Sequence, residues 1–364
     1  MRPASKNPEH LRVKKNLQIS ELHEAPHILL IRLRSLGDAV LMTPVPAALK
    51  AWRPRAAVSV LIEEPFAAVF RAHPHVDEVL CVPPGPSLGR RLQCIAAIRR
   101  RRFDLVLNLH SGPTAGLLTA LSGAPLRVAY ASARWARWCN VRVPASETFW
   151  SAPRIHTVEH QLTPLLCLGI PVAEEIRLQV GILHEAKERV LARMKSLNLL
   201  SGRFILISPF ATLFTKEWEL SRFAELSGRL REVYGLPIVA TAGPSERGKL
   251  QTLVSLAPEA IIGLELLPLE DLIAWIDQCG LYIGNDSGPT HLAAARQKKT
   301  VVLWGSSDYH AWHPWGTDYQ LLRADLPCIP CRGYRCYEFD SPRCIESISV
   351  DHVVRAVERL KPFA

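Results

Sequence analysis

The sequence predicts an α/β protein made of two doubly wound domains, each a parallel sheet with helices on both faces. Three observations carry this. Short runs rich in Val, Ile and Leu alternate with helix-compatible segments, the pattern of parallel strands joined by crossover helices. That alternation runs once, pauses in a connector from Pro171 to Val180, and then begins again. A length of 364 residues also suits two domains. No sequence repeat links the halves; only the pattern recurs.

In order, residues 1–26 read as a poorly ordered polar tail. The first strand spans His27 to Leu33. It is followed by Arg34-Ser35-Leu36-Gly37-Asp38 and by helix-compatible sequence from Ala39 to Trp52. Further strands are expected at 58–62, 76–82, 104–109 and 127–130, with helices at 88–101, 114–121 and 156–170, so the first domain covers 27–178. The second, 179–349, carries strands at 204–207, 237–241, 260–262, 281–283 and 300–304. Its helices are expected at 221–234, 246–256 and 269–278. An amphipathic helix closes the chain within 350–364. Ligands of such sheets bind outside the carboxyl ends of the strands, where loops from two facing domains are expected to meet across a cleft.

Apolar residues make up 48% and charged residues 21%, as in a soluble globular protein. No apolar run approaches the roughly 18 to 20 residues of a membrane span. The N-terminus stays polar through Glu24, without a signal-peptide core. A cytoplasmic protein is therefore expected. Its charge is uneven: residues 1–177 hold 23 Lys and Arg against 13 Asp and Glu, whereas 178–364 hold 21 of each. The basic half suits an anionic partner such as a phosphorylated acceptor, a lipid head group or a membrane surface. A solvated basic face, Arg99 to Arg102 included, would give the same count. No zinc-finger, RNA-recognition or helix-turn-helix signature supports nucleic acid.

The stretch from Gly284 to Ala295, Gly-Asn-Asp-Ser-Gly-Pro-Thr-His-Leu-Ala-Ala-Ala, reads as a strand end, a tight turn and a helix start. Asp286 or Ser287 can cap that helix, and Pro289 suits its first turn. Unpaired N–H groups and the helix dipole make such a start attractive to phosphate. Asp286 and His291 are near enough in sequence to reach sugar hydroxyls or a phosphate. An ordinary well-capped turn is the plainer alternative. No Gly-x-Gly-x-x-Gly fingerprint follows the first strand and no Walker A loop is present, which argues against a dehydrogenase and a simple phosphotransferase.

Four motifs in order, Arg34-Ser35-Leu36-Gly37-Asp38, Lys216-Glu217-Trp218, Gly243 to Glu246, and Asp286-Ser287-Gly288-Pro289-Thr290-His291, resemble those of glycosyltransferase family 9, the heptosyltransferases of lipopolysaccharide inner-core assembly. The similarity spans roughly residues 27–360. It implies a GT-B fold with an acceptor-binding N-terminal domain and a nucleotide-sugar-binding C-terminal domain. It also implies metal-independent, inverting transfer of heptose from ADP-heptose, with Asp38 as general base. The acceptor implied is an anionic glycolipid, Kdo-lipid A or its heptosylated form, met at the inner face of the inner membrane by a monomer needing no catalytic cofactor.

Elementary chemistry agrees with these roles and offers plainer ones beside them. A carboxylate at the mouth of the first strand can deprotonate an attacking hydroxyl, or cap the following helix, or both. Lys216 and the helix start after Asp286 can stabilise the charge of a departing nucleoside diphosphate, although most lysines are simply solvated. Thr212, Thr215, Glu246, Asp286, Ser287, Gly288 and His291 are the other donor-binding candidates. Glu246 could equally sit in a helix's first turn, and His291 could be a packed histidine. His110 is expected to be structural. Arg34, Arg127, Arg134 and Arg137 are the acceptor-binding candidates, and the mixed Arg and Trp of 132–138 suit a membrane-facing loop.

Of nine cysteines, Cys81, Cys94, Cys139, Cys167 and Cys279 read as scattered, reduced core residues. Cys328, Cys331, Cys336 and Cys344 crowd into 17 residues, a spacing that suits a structural zinc or iron–sulfur site or a set of packed thiols. Two other functions compete with heptose transfer: a GT-B transferase or epimerase using another nucleotide sugar, and a basic non-catalytic binding module.

Overall fold

The architecture comes from a computed structural model, which describes residues 19–85, 87–150, 152 and 154–363. Contacts divide the chain into two units, Met1–Gly181 and Ile182–Ala364.

The first unit runs β1 (His27–Ile31), α1 (Leu36–Leu41), α2 (Pro44–Trp52), β2 (Ala57–Glu63), α3 (Ala68–Arg71), β3 (Glu78–Val82), α4 (Leu88–Arg101), β4 (Leu105–Asn108), α5 (Pro113–Leu121), β5 (Leu126–Tyr130), β6 (Val141–Val143) and α6 (Thr157–Cys167). Its sheet is parallel throughout, in the order β3-β2-β1-β4-β5-β6. Strands covered on both faces lose the apolar–polar alternation, and Ile28 to Ile31 of central β1 are accordingly all fully buried. On one face Leu29 and Ile31 pack with Ile95 and Ile98 of α4 and Ala115 and Leu118 of α5. From β1 the chain winds outward through β2 and β3, then returns to β1's other side as β4. That reversal opens a crevice beyond the carboxyl ends of β1 and β4, where a ligand site is expected.

The second unit runs α7 (His184–Ser196), β7 (Ile205–Ser208), α8 (Leu220–Tyr234), β8 (Ile238–Thr241), α9 (Arg247–Leu256), β9 (Ile261–Leu264), α10 (Leu269–Gln278), β10 (Leu281–Asn285), α11 (Gly288–Ala295), β11 (Thr300–Trp304), α12 (Tyr309–Trp312), β12 (Tyr319–Arg323), α13 (Arg343–Glu346) and α14 (Val350–Leu360). Its parallel sheet is ordered β12-β11-β10-β7-β8-β9, so the reversal lies between β7 and β10. Val350, Val353, Val354 and Val357 give α14 an apolar stripe at helical spacing, buried with Trp218, Phe223, Leu226 and Leu230. Full burial of one such side chain contributes roughly 1.5–3 kcal/mol.

Several elements depart from the sequence reading. The helix expected from Ala39 to Trp52 is two helices, because Pro44 has no N–H to donate and starts α2 afresh. Helix α7 and strands β6 and β12 are additional. Within the polar tail expected at 1–26, Ile19–Glu21 form a 3-10 turn and Leu22 is buried, while residues 1–18 lie outside the described residues. Among the described residues no helix is long and apolar enough to cross a membrane.

Candidate active site

In the first unit the crevice beyond β1 and β4 is occupied by charge. Asp38 stands in the first turn of α1, half-buried with its side chain 17% exposed. Arg32, the residue after β1, pairs through Nη2 with Asp38 Oδ1 and donates through Nη1 to the Leu109 carbonyl. The Ser35 N–H and hydroxyl face Asp38 Oδ2 at 3.4 and 3.1 Å, a capping box. The carboxylate therefore caps its helix and is aimed by a guanidinium while keeping solvent access.

His110, just past β4, belongs to the same cluster. Its N–H donates to Asn108 Oδ1 at 2.9 Å. Burial pushes the imidazole down to about 4, helped by Arg32 and Arg34 and opposed by Asp38, so it is neutral at physiological pH. Arg34 is exposed at the rim. Arg134 and Arg137 are also exposed, in the loop after β5, with the Arg137 guanidinium 5.1 Å from the Trp138 ring centroid. Arg127 differs: it donates to the Ala124 carbonyl at 2.5 Å and the Trp138 carbonyl at 3.3 Å, so it braces its own loop.

In the second unit the loops after β7 and β10 meet at the sheet's reversal. Lys216 Nζ lies 2.8 Å from Asp286 Oδ2, with the lysine side chain 22% and the aspartate 5% exposed. Asn285 fixes the geometry behind them, accepting from Trp218 N–H at 3.3 Å and donating to the Pro209 carbonyl at 2.6 Å. The Thr290 hydroxyl donates to the Asn285 carbonyl at 2.6 Å. Ser287 is the N-cap of α11 but makes no side-chain cap; Pro289 has no N–H and the Thr290 N–H donates to the Ser287 carbonyl at 3.1 Å, which leaves the Gly288 N–H of the first turn for an anion. His291 is buried in the same helix beside Trp312, ring centroids 6.3 Å apart.

Thr212 is exposed on the β7 loop. Thr215, expected to touch donor, instead turns inward. Its hydroxyl donates to the Gly333 carbonyl at 2.6 Å and lies 3.0 Å from Ser306 Oγ, because the segment after β12 packs beneath it. Glu246 accepts from Gly243 N–H at 2.9 Å, which orders the turn after β8. Its second carboxylate oxygen is not used in that bond.

The cysteine cluster is not arranged as a ligand shell. Among the described residues no three His, Cys, Asp or Glu side chains could together hold a metal ion. All four thiols nevertheless line one cavity of about 110 Å³, with Thr215 and Ser306 in its wall. Cys331 N–H donates to the Ser306 carbonyl at 2.9 Å, and Cys344 Sγ lies 3.9 Å from the Thr215 carbonyl. Burial pushes the Cys344 thiol up to about 11. The segment thus supports the loop that carries Lys216.

Sequence reasoning missed Arg32 and gave His110 no part in the cluster. The available signal was an arginine directly after the unbroken apolar run Ile28 to Ile31, which places a charge at the mouth of a buried strand.

The family model for glycosyltransferase family 9 (heptosyltransferase) matches residues 91–340. Lipopolysaccharide heptosyltransferase 3 of Escherichia coli K12 is 24% identical over 351 residues, covering 91% of this chain and 96% of the relative. A solved glycosyl transferase family 9 structure from Veillonella parvula superposes with TM-score 0.78 at 20% identity, over 93% of this chain and 99% of that one. The E. coli ADP-heptose lps heptosyltransferase II structure gives TM-score 0.76 at 19% identity, over 92% and 98%. These likenesses establish the GT-B fold. The chain belongs to glycosyltransferase family 9 (heptosyltransferase), and it is a glycosyltransferase.

Proposed function

We propose that this enzyme transfers heptose from ADP-heptose, with inversion, to an anionic inner-core lipopolysaccharide acceptor, Kdo-lipid A or its heptosylated form. The observation that carries the reading is the Lys216–Asp286 pair at the β7–β10 reversal, beside the open start of α11. An ammonium held at 2.8 Å by a buried carboxylate is already positioned for a diphosphate. Relatives named as lipopolysaccharide heptosyltransferases support the sugar and acceptor class. So does the fold shared with E. coli heptosyltransferase WaaC, solved with ADP-2-deoxy-2-fluoro heptose.

In this reading the acceptor hydroxyl oxygen bonds to the anomeric carbon and its proton passes to Asp38. The bond from that carbon to the diphosphate breaks, and ADP departs with the electron pair. Arg32 and Ser35 orient the carboxylate; neutral His110 limits the positive charge around it. Lys216 and the Gly288 N–H neutralise the charge that grows on the leaving diphosphate, so the step needs no metal ion. Glu246, Thr212 and His291 are the proposed sugar and ribose contacts. Arg34, Arg134 and Arg137 are the acceptor contacts, while Thr215 and Arg127 serve as braces. The enzyme works as a monomer in the cytoplasm at the membrane surface. The four cysteines brace the donor loop, and no catalytic step passes through them.

Family membership sets aside the non-catalytic module. Another nucleotide sugar on the same fold remains the competing reading, and a donor panel separates the two. ADP-heptose should raise the melting temperature by ligand linkage, and the product with a deacylated Kdo acceptor should show the inverted anomeric configuration by NMR. Stabilisation by UDP-sugars alone, or retained configuration, would contradict the proposal.

A further inference from the structure

Helix α4 has a second face that the transfer reaction does not use. Ile95 and Ile98 bury its inner side. Its outer side presents Leu88, 71% exposed, and Leu92, 57% exposed, followed by Ala96, Arg99 and Arg100 at helical spacing. The helix contains no acidic residue. Arg101 turns back to Glu78 at 2.5 Å, but among the described residues no carboxylate pairs with Arg99, Arg100 or Arg102. Arg99 Cγ lies 3.8 Å from where a Cβ at Gly123 would stand, so the turn that follows the 42%-exposed Leu121 borders the cluster.

A helix that is merely solvated has no use for two outward leucines one turn apart. A nucleic-acid surface would pair its arginines with aromatic or hydrogen-bonding side chains, and this face offers leucine and alanine. A second copy of the chain would bring like charges together. An outward face of leucines and unpaired arginines matches an anionic bilayer interface, where apolar side chains enter the acyl boundary and guanidinium groups meet phosphates.

We propose that the outer face of α4, continued by Leu121, docks the first unit onto membranes rich in anionic phospholipid. The surface holds the enzyme at the bilayer in which its proposed glycolipid acceptor lies, and to that extent it rests on the acceptor reading above. Its chemistry is separate from Asp38 and Lys216.

The test is co-sedimentation of the full chain with vesicles of phosphatidylcholine alone and of phosphatidylcholine mixed with phosphatidylglycerol, without any lipopolysaccharide. Binding should require phosphatidylglycerol and weaken steeply with added salt. Arg99→Gln with Arg100→Gln should lower the affinity about thirtyfold, at about fivefold per arginine. Arg99→Lys with Arg100→Lys should retain it. Leu88→Ser with Leu92→Ser should lower it about tenfold. Transfer to a water-soluble deacylated acceptor should be unchanged in the glutamine variant, which separates loss of docking from failure of the transfer reading. Equal binding to neutral vesicles would overturn the proposal. So would vesicle binding indifferent to the α4 variants, or variants that lose affinity for duplex DNA and not for vesicles.

Discussion

His73 shows how a single buried residue ties this fold to pH. It is 4% exposed. Its Nε2–H donates to the Thr43 carbonyl at 3.0 Å, and its Nδ1 accepts from His75 N–H at 3.1 Å. Only the neutral tautomer satisfies both bonds. Burial pushes His73 down to about 4, and His110 is pushed to about the same value. The folded values lie below the unfolded value of about 6.5. The unfolded chain therefore binds more protons as the medium acidifies. The contribution of these residues is full above pH ~6.5 and is lost as pH falls toward 4, by up to about 3 kcal/mol for His73. Urea unfolding across that range should give a falling stability whose slope is smaller in His73→Gln; an unchanged slope would contradict the assignment. At this scale the sequence was readable where a residue belongs to a short polar motif near a strand end: Asp286 follows β10 directly, Asp38 lies in the first turn of α1, and Lys216 lies in the loop after β7. It did not announce that Arg32 and His110 meet, which depends on β1 and β4 pairing across about 77 residues of chain. It misdirected Thr215, because nothing local to that threonine announces that Gly333, 118 residues on, will take its hydroxyl.

At the scale of elements, parallel strands were the most legible because burial on both faces writes them as uninterrupted apolar runs. Strand β12 escaped because it is an edge strand whose residues are half-exposed or exposed, and β6 because it is three residues long. Helix α7 is mostly charged, and only Ala186, Val190 and Met194, one turn apart, mark its buried face. The packing beneath the loop after β7 was invisible in the sequence, yet it positions Lys216. Gly305, at the end of β11, is the clearest instance: a Cβ there would stand 2.2 Å from the Thr215 carbonyl and 3.1 Å from Lys216 Cα. Both are backbone atoms, so the loop must move to admit a methyl group. Gly305→Ala should keep a folded second unit but weaken ADP binding and turnover by about 10²-fold, as expected when a positioned charge shifts by an ångström. Calorimetric titration with ADP reads this directly, and wild-type affinity in the variant would refute the bracing role.

For the whole molecule, the two units repeat one plan with different side chains. Each places its charged residues beyond the strands where its sheet order reverses: Arg32 and Asp38, beside neutral His110, in the first, Lys216 and Asp286 in the second. The charge imbalance follows the same division. A net +10 on residues 1–177 suits the proposed anionic acceptor, and the remaining residues are balanced in charge. In the proposed mechanism Asp38 takes the acceptor proton, while the second unit binds donor without it. Asp38→Asn keeps the size of the side chain and removes the base, so turnover of ADP-heptose and acceptor, followed as ADP release, measures that claim most directly. Turnover should fall about 10²- to 10⁴-fold with ADP affinity unchanged; turnover within a few-fold of wild type would rule out Asp38 as the base.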